Sequence, residues 1–233
     1  MTERSDELAT RLAAVRRRIE AACTAADRDP GGVTLVAVTK FFPASDVRVL
    51  ADLGVTHVGE NRHQEAEAKA AECADLDLTW HFIGGLQSNK AAAVAAYADV
   101  VESLDRAKLV AGLQRGAEAR PEPLDVLLQV SLDTGEGGGR SGAEPADLER
   151  LAEAVGTADR LRLCGLMAVA PLDEDPARAF ARLAALRQEL LQSHPGADVL
   201  SAGMSNDLEQ AVAVGATHVR VGSAVLGSRP GVK

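Results

Sequence analysis

The chain has 233 residues, 46% of them apolar, and carries 25 Lys and Arg against 34 Asp and Glu, a net charge of −9. That length suits one large domain or two small ones, and the apolar share fills a core, which excludes a disordered chain. The acidic balance excludes nucleic acid and anionic membrane as partners, because the only basic run is Arg16-Arg17-Arg18. No apolar stretch approaches the ~20 residues of a membrane helix. The three cysteines form no CxxC pair and the opening Met-Thr-Glu-Arg-Ser-Asp-Glu has no signal-peptide character, so a reducing cytoplasm is expected.

A first helix is predicted from Ser5 to Ala26. Ser5 caps it, Leu8, Leu12, Val15 and Ile19 share one face, and the three arginines lie on a solvated one. Short apolar runs then alternate with helical patterns. The strand candidates are Val33–Lys40, His57–Asn61, Thr79–Gly84, Val100–Leu104, Leu124–Leu132, Leu161–Val169, Val199–Gly203 and His218–Gly222. Helical periodicity fills the gaps at Ala44–Leu53, His63–Ala74, Asn89–Tyr97, Arg106–Ala119, Pro145–Val155, Pro176–Gln192 and Asn206–Val214. Eight such units predict an α/β fold, a (β/α)8 TIM barrel with an additional N-terminal helix, as a single domain over residues 1–233. An open doubly wound sheet is the alternative, and the lack of a GxGxxG after the first strand weighs against it. The segment Leu53-Gly-Val-Thr-His57-Val is echoed by Val214-Gly-Ala-Thr-His218-Val, which puts His57 and His218 at strand starts in structural roles.

Working residues of such a barrel project from the C-terminal ends of its strands. Those ends hold Lys40, Glu60-Asn61, His81, Gly84-Gly85, Asp105, the loop Asp133–Gly142, Met167, Ser201 to Asn206, and Arg220 to Ser223. Lys40 is the most informative of them. It ends the run Val33-Thr-Leu-Val-Ala-Val-Thr-Lys40, and a buried amine is costly unless it is paired or used chemically, for instance in a Schiff base with a carbonyl. Lys69, Lys90 and Lys108 fall in helical or loop patterns and read as solvated charges.

Two turns have anion-binding character. In Ser201-Ala-Gly203-Met-Ser205, a glycine turn precedes a hydroxyl near a helix start, although Ser205 also suits a helix cap. In Arg220-Val-Gly222-Ser223, backbone free to approach a ligand precedes a second hydroxyl. Loops after strands 7 and 8 are the usual phosphate site of these barrels, and strand 1 closes the ring beside strand 8. A ligand with an aldehyde and a phosphate suits the set, and pyridoxal 5′-phosphate is one. His81 alternates with Trp80 and Phe82 and suits a packed interior as well as it suits a ligand contact. Gly135–Gly142 lacks the GxxxxGK[ST] pattern and reads as a loop over the barrel mouth. No His, Cys or carboxylate cluster has metal spacing.

Val36-Ala-Val-Thr-Lys40, Gly59-Glu-Asn61, Trp80-His-Phe-Ile-Gly84, Leu86-Gln-Ser-Asn-Lys90, Gly165-Leu-Met167, Leu200-Ser-Ala-Gly-Met-Ser205 and Val219-Arg-Val-Gly222 together resemble the pyridoxal phosphate homeostasis protein family. The match runs from the first helix to Gly227. The resemblance implies a barrel like the N-terminal domain of alanine racemase. It further implies pyridoxal phosphate bound through Lys40, its phosphate against Ser205, Gly222 and Ser223, and Arg220 facing the pyridine nitrogen. Asn61, His81 and Met167 complete the expected cofactor-binding set. The implied role is buffering and delivery of the cofactor to pyridoxal-dependent apoenzymes by a cytoplasmic monomer. Phe41-Phe42, where polar residues are common in the family, and the glycine-rich loop depart from the pattern. A racemase of low activity and a Schiff-base aldolase without pyridoxal phosphate are the alternative readings. An arginine at the pyridine nitrogen weakens the ring as an electron sink, and the only tyrosine is Tyr97 on a helix, so efficient turnover is not expected.

Overall fold

A computed structural model of the protein describes residues 2–133 and 141–228. Eight parallel strands close a barrel in sequential order: β1 (Thr34–Val38), β2 (His57–Glu60), β3 (Thr79–Phe82), β4 (Val100–Leu104), β5 (Leu124–Gln129), β6 (Leu161–Met167), β7 (Val199–Ser201) and β8 (His218–Val221). β8 returns to β1 with Thr34 opposite His218 and Val36 opposite Arg220. The helices are α1 (Glu3–Ala25), α2 (Ala44–Asp52), α3 (His63–Glu72), α4 (Ala91–Tyr97), α5 (Val110–Ala117), α6 (Leu148–Gly156), α7 (Pro176–Ser193), α8 (Leu208–Ala213) and α9 (Ser223–Leu226). Short 3₁₀ turns precede α4, α5 and α6. The expected TIM barrel with an extra N-terminal helix is thus the observed fold.

Apolar side chains of the strands and helices pack in the layer between the two. The helix α1 seals part of it, burying Leu8, Leu12, Val15 and Ile19 with residues of α2, α8 and α9. Two expectations for α1 need correction. Thr2, not Ser5, caps it, because the Thr2 hydroxyl accepts the Ser5 N–H at 3.2 Å. The arginine run is also not simply solvated. Arg16 donates to Leu53 O and Gly54 O, and Arg18 makes a two-pronged contact with Glu209, so long side chains reach from α1 to the barrel. Among the described residues, no helix is long and apolar enough to cross a membrane.

Most strands start where the apolar runs start, but many stop short of the runs' C-terminal ends. β1 ends at Val38 and not at Lys40. Thr39 and Lys40 enter a turn in which Phe42 N–H returns to Thr39 O at 3.1 Å and Phe41 takes φ 71°. Past the strand ends single hydrogen bonds continue the pairing, as Thr39 N–H to Gly59 O at 3.0 Å and Ile83 N–H to Glu60 O at 2.9 Å, while Lys40, Asn61 and Ile83 line a cavity.

The barrel interior is polar at its centre. His57, from the start of β2, meets His81 of β3 at 2.9 Å, and His81 meets Glu102 of β4 at 2.7 Å. Ser201 of β7 donates to Glu102 at 2.6 Å and accepts from Arg220 of β8 at 2.6 Å. The His218 ring lies 6.0 Å from the His81 ring, and its Nδ1 pairs with Thr217. Inward-facing positions of neighbouring strands meet in layers, so residues far apart in sequence become one buried chain.

Candidate functional site at the barrel mouth

A cavity of about 570 Å³ opens at the C-terminal ends of the strands. Its walls include Lys40, Asn61, Met167, Ser205, Arg220, Gly222 and Ser223. Seven of the eight expected site residues therefore come together there. The eighth, His81, is buried below, engaged with His57 and Glu102, and is not among the lining residues. Depth explains this: Ile83, two residues on along the same inward face, reaches the cavity, while His81 sits one layer lower at the centre. The expected Gly135–Gly142 loop lies, for residues 134–140, outside the described residues, whereas Ser141 O accepts a hydrogen bond from Gln129 in the cavity wall.

Lys40 stands half-buried in the turn after β1, facing the cavity from one side. Beside it in the ring, where β8 closes onto β1, the turns after β7 and β8 meet. Gly203 at φ 90° makes the first turn, and a Cβ there would lie 2.7 Å from Ala211 Cβ, so a larger residue does not fit. Ser205 caps no helix: α8 begins later, behind Asp207. The Ser205 Oγ instead accepts from Ser223 Oγ at 3.2 Å and from Ala224 N–H at 3.3 Å. With both acceptor positions used, its own O–H remains to donate. Two adjoining hydroxyls at the start of α9, where Ser205 already takes the Ala224 N–H, form a polar cradle in the cavity wall.

Arg220 forms the cavity floor. It is 4% exposed, donates to Ala168 O at 2.8 Å, and lies 3.7 Å from Glu102. Burial lowers its pKa, and the charges of Glu102 and Asp207 oppose that. Glu102 is wholly buried, which favours its neutral form. The hydrogen bond and charge of His81, the charge of Arg220 and the Ser201 hydroxyl outweigh burial and hold it at about 2. The Arg220 charge therefore reaches the cavity already partly compensated from below.

Asn61 adds a further feature: its Oδ1 is buried without a hydrogen-bond partner. A buried orphan acceptor at a cavity wall fits a ligand that brings a donor. Of the carboxylates lining the mouth, Glu174 is held below its usual range by Arg182. Asp207 accepts the Met204 N–H at 2.5 Å. Tyr97 is absent from the cavity lining; it stacks on His63 between α3 and α4.

The reading of Lys69 as a solvated charge is overturned. It is 6% exposed and donates to Glu60 Oε1 at 2.6 Å, Thr39 O at 2.8 Å and Glu65 Oε1 at 2.9 Å. One signal in the sequence pointed this way: Glu65 and Lys69 are spaced i, i+4, and Glu60 stands at the end of the strand that α3 follows.

The profile of the alanine racemase N-terminal domain family matches residues 10–230. The pyridoxal phosphate homeostasis protein of Pseudomonas aeruginosa is 47% identical over 225 residues, spanning 95% of this chain and 96% of that one. That of Mycobacterium tuberculosis is 44% identical over 244 residues, 97% of this chain and 95% of the other. Among solved structures, PipY of Synechococcus elongatus with PLP bound superposes with a TM-score of 0.81 at 38% identity, covering 94% of this chain and 100% of that one. The order of strands, the lysine after β1 and the paired turns after β7 and β8 thus sit in a chain that belongs to the alanine racemase N-terminal domain family and, within it, to the pyridoxal phosphate homeostasis proteins.

Proposed function

We propose that the protein binds pyridoxal 5′-phosphate at the barrel mouth and serves its homeostasis, holding the cofactor on Lys40 and releasing it to pyridoxal-dependent apoenzymes. The observation that carries this reading is one cavity with an amine in one wall and a polar cradle in another. When bound, the cofactor supplies an aldehyde that condenses with an amine and a phosphate dianion that anchors it. Ser205, Ser223 and the backbone at Gly222 are assigned to the phosphate, where charge-assisted hydrogen bonds are the strong ones. Asn61 and Met167 are assigned to the ring's edge and face, and Arg220 to the pyridine nitrogen. His81 is assigned a positioning role through Glu102. The domain is taken as residues 1–233, monomeric and cytoplasmic, a compartment in keeping with the unpaired buried Cys23 and Cys73.

Carrier action is favoured over turnover by the cavity's acid–base inventory. Its carboxylates, Glu174 and Asp207, are engaged by Arg182 and by the Met204 N–H. No tyrosine lines it. A racemase reading needs a second base facing Lys40 across the substrate.

The test is borohydride reduction of the yellow complex followed by peptide mapping. Label on Lys40 is expected, and its loss in Lys40→Ala with retained folding. Label confined to Lys69, Lys90 or Lys108 would refute the assignment. Two further measurements separate carrier from enzyme: reactivation of a pyridoxal-dependent apoenzyme is expected, and rapid α-proton exchange with an amino acid would favour a racemase.

A further inference from the structure

The pyridoxal phosphate reading has no use for Lys69, yet this buried ammonium spends all three of its donors within the wall behind Lys40. Its acceptors are not scattered. Thr39 O is the carbonyl just before Lys40. Glu65 Oε1, which pairs with Lys69 at 2.9 Å, also accepts the N–H of Phe41, just after Lys40, at 2.6 Å. Glu60 Oε1, 2.6 Å from Lys69, accepts the Thr39 hydroxyl at 2.7 Å. Peptide groups on both sides of Lys40 are thus held by side chains of α3, and Glu60 of β2 holds the Thr39 hydroxyl.

What they hold is a strained turn. Phe41 sits at φ 71°, a region that a bulky residue keeps only when its surroundings over-determine it. The Arg62 guanidinium over the Phe41 ring, 5.0 Å from its centre, adds to that restraint. Stability alone does not account for the ion network. Desolvating charges costs as much as pairing them returns, and apolar residues of similar volume do as well or better. Strain held by a buried network beside a reactive group is a device for orientation.

We propose that Glu65 and Lys69 form a clamp on the backbone flanking Lys40 that aims its amine at the ligand aldehyde, so that both are positioning residues for covalent capture; this rests on the pyridoxal phosphate reading above. Capture joins the neutral Lys40 Nζ to the aldehyde carbon, and the carbonyl oxygen leaves as water with the two protons that the amine loses. The clamp's hydrogen bonds to Thr39 O and the Phe41 N–H hold the backbone on either side. They set where the amine stands, and displacement of a reacting group by about 1 Å costs on the order of a hundredfold in rate.

The test compares two ligands on the full-length protein. Pyridoxal 5′-phosphate can be captured; pyridoxine 5′-phosphate carries an alcohol in place of the aldehyde and reports binding alone. In Lys69→Met and Glu65→Ala, the rate of borohydride-trappable attachment to Lys40 is expected to fall by about tenfold to a hundredfold. Affinity for pyridoxine 5′-phosphate should stay within about threefold, a difference that a single lost weak contact covers. Glu65→Gln keeps an oxygen for the Phe41 N–H and should recover most of the rate lost in Glu65→Ala. Should Lys69→Met fail to fold, the two Glu65 variants carry the comparison. Equal losses for both ligands would reduce the clamp to pocket support and overturn the proposal, as would unchanged capture in all variants. A wild-type protein that binds pyridoxine 5′-phosphate but attaches nothing to Lys40 overturns the clamp while sparing the phosphate site. A wild type that binds neither overturns the cofactor reading itself.

Discussion

Two buried cations stand near the barrel mouth, and they are handled differently. Lys69 is met by two carboxylates and a carbonyl in the wall between β2 and α3. Arg220 is met inside the barrel by one carboxylate at 3.7 Å, one hydroxyl and one carbonyl, contributed by β4, β7 and the chain after β6. The first network can adjust its charge: burial raises the pKa of Glu60 against the pull of Lys69 and Thr39, so this group can take up a proton if its partner is lost. The second cannot, because a guanidinium keeps its proton and Glu102 is held at about 2. Charge is thus rigid at the cavity floor and adjustable in the wall behind the lysine.

Removing the carboxylate of the rigid network should have the largest effect. Glu102→Leu leaves Arg220 and His81 without their anion and should cost about 3–5 kcal/mol in chemical denaturation, as for other broken buried pairs. Lys69→Met should cost clearly less, since Glu60, the buried carboxylate it leaves behind, has a route to neutrality. Equal costs would erase the distinction between the two regions.

Acid sharpens the same comparison. Burial lowers the pKa of His218 from 6.5 to about 4, and burial together with the charge of His81 lowers that of His57. Both are neutral in the fold and take up protons when unfolded. Stability is therefore complete above pH 6.5 and falls as pH drops toward 4, by at most about 3 kcal/mol from His218. Glu102 stays ionised in the fold through that window, but its unfolded carboxyl starts to take up a proton near 4.5, so it adds to the fall at the acid end. Unfolding curves for wild type and His218→Asn should converge at the acid end, the variant having the flatter profile.

Ligand binding should respond on a smaller scale. Ser205→Ala and Ser223→Ala should each weaken pyridoxal 5′-phosphate binding by about 1–2 kcal/mol in titration calorimetry, the scale of one hydrogen bond to a charged group. Neither should change the binding of pyridoxal without phosphate. The smallest effect is expected at the surface. Arg162 pairs with Asp125 at 2.6 Å, but its side chain is 61% exposed, and Arg162→Ala should change stability by less than about 1 kcal/mol.

Much of the molecule was legible before any coordinates. Alternation of short β-branched runs with helical periodicity is a local property, and it marked all eight strands, because each strand must bury apolar side chains toward its helices wherever it sits in the ring. The mouth residues were legible for a related reason. Once the units are in order, the ends of the strands are known, and Lys40, Asn61, Met167, Ser205, Arg220, Gly222 and Ser223 fall there together.

What only the tertiary structure decided is which charges lose their water. Lys69 reads as one more helical lysine until β2 and the Thr39 turn close over it. His57 and His218 read as two strand starts, yet closure of the barrel sets their rings 6.2 Å apart with His81 beside both. Glu102 reads as one more residue of a buried β4, yet it faces Arg220 at 3.7 Å from across the barrel. Periodicity follows from the chain's own geometry, whereas desolvation and charge pairing depend on what the rest of the fold brings within a few ångströms.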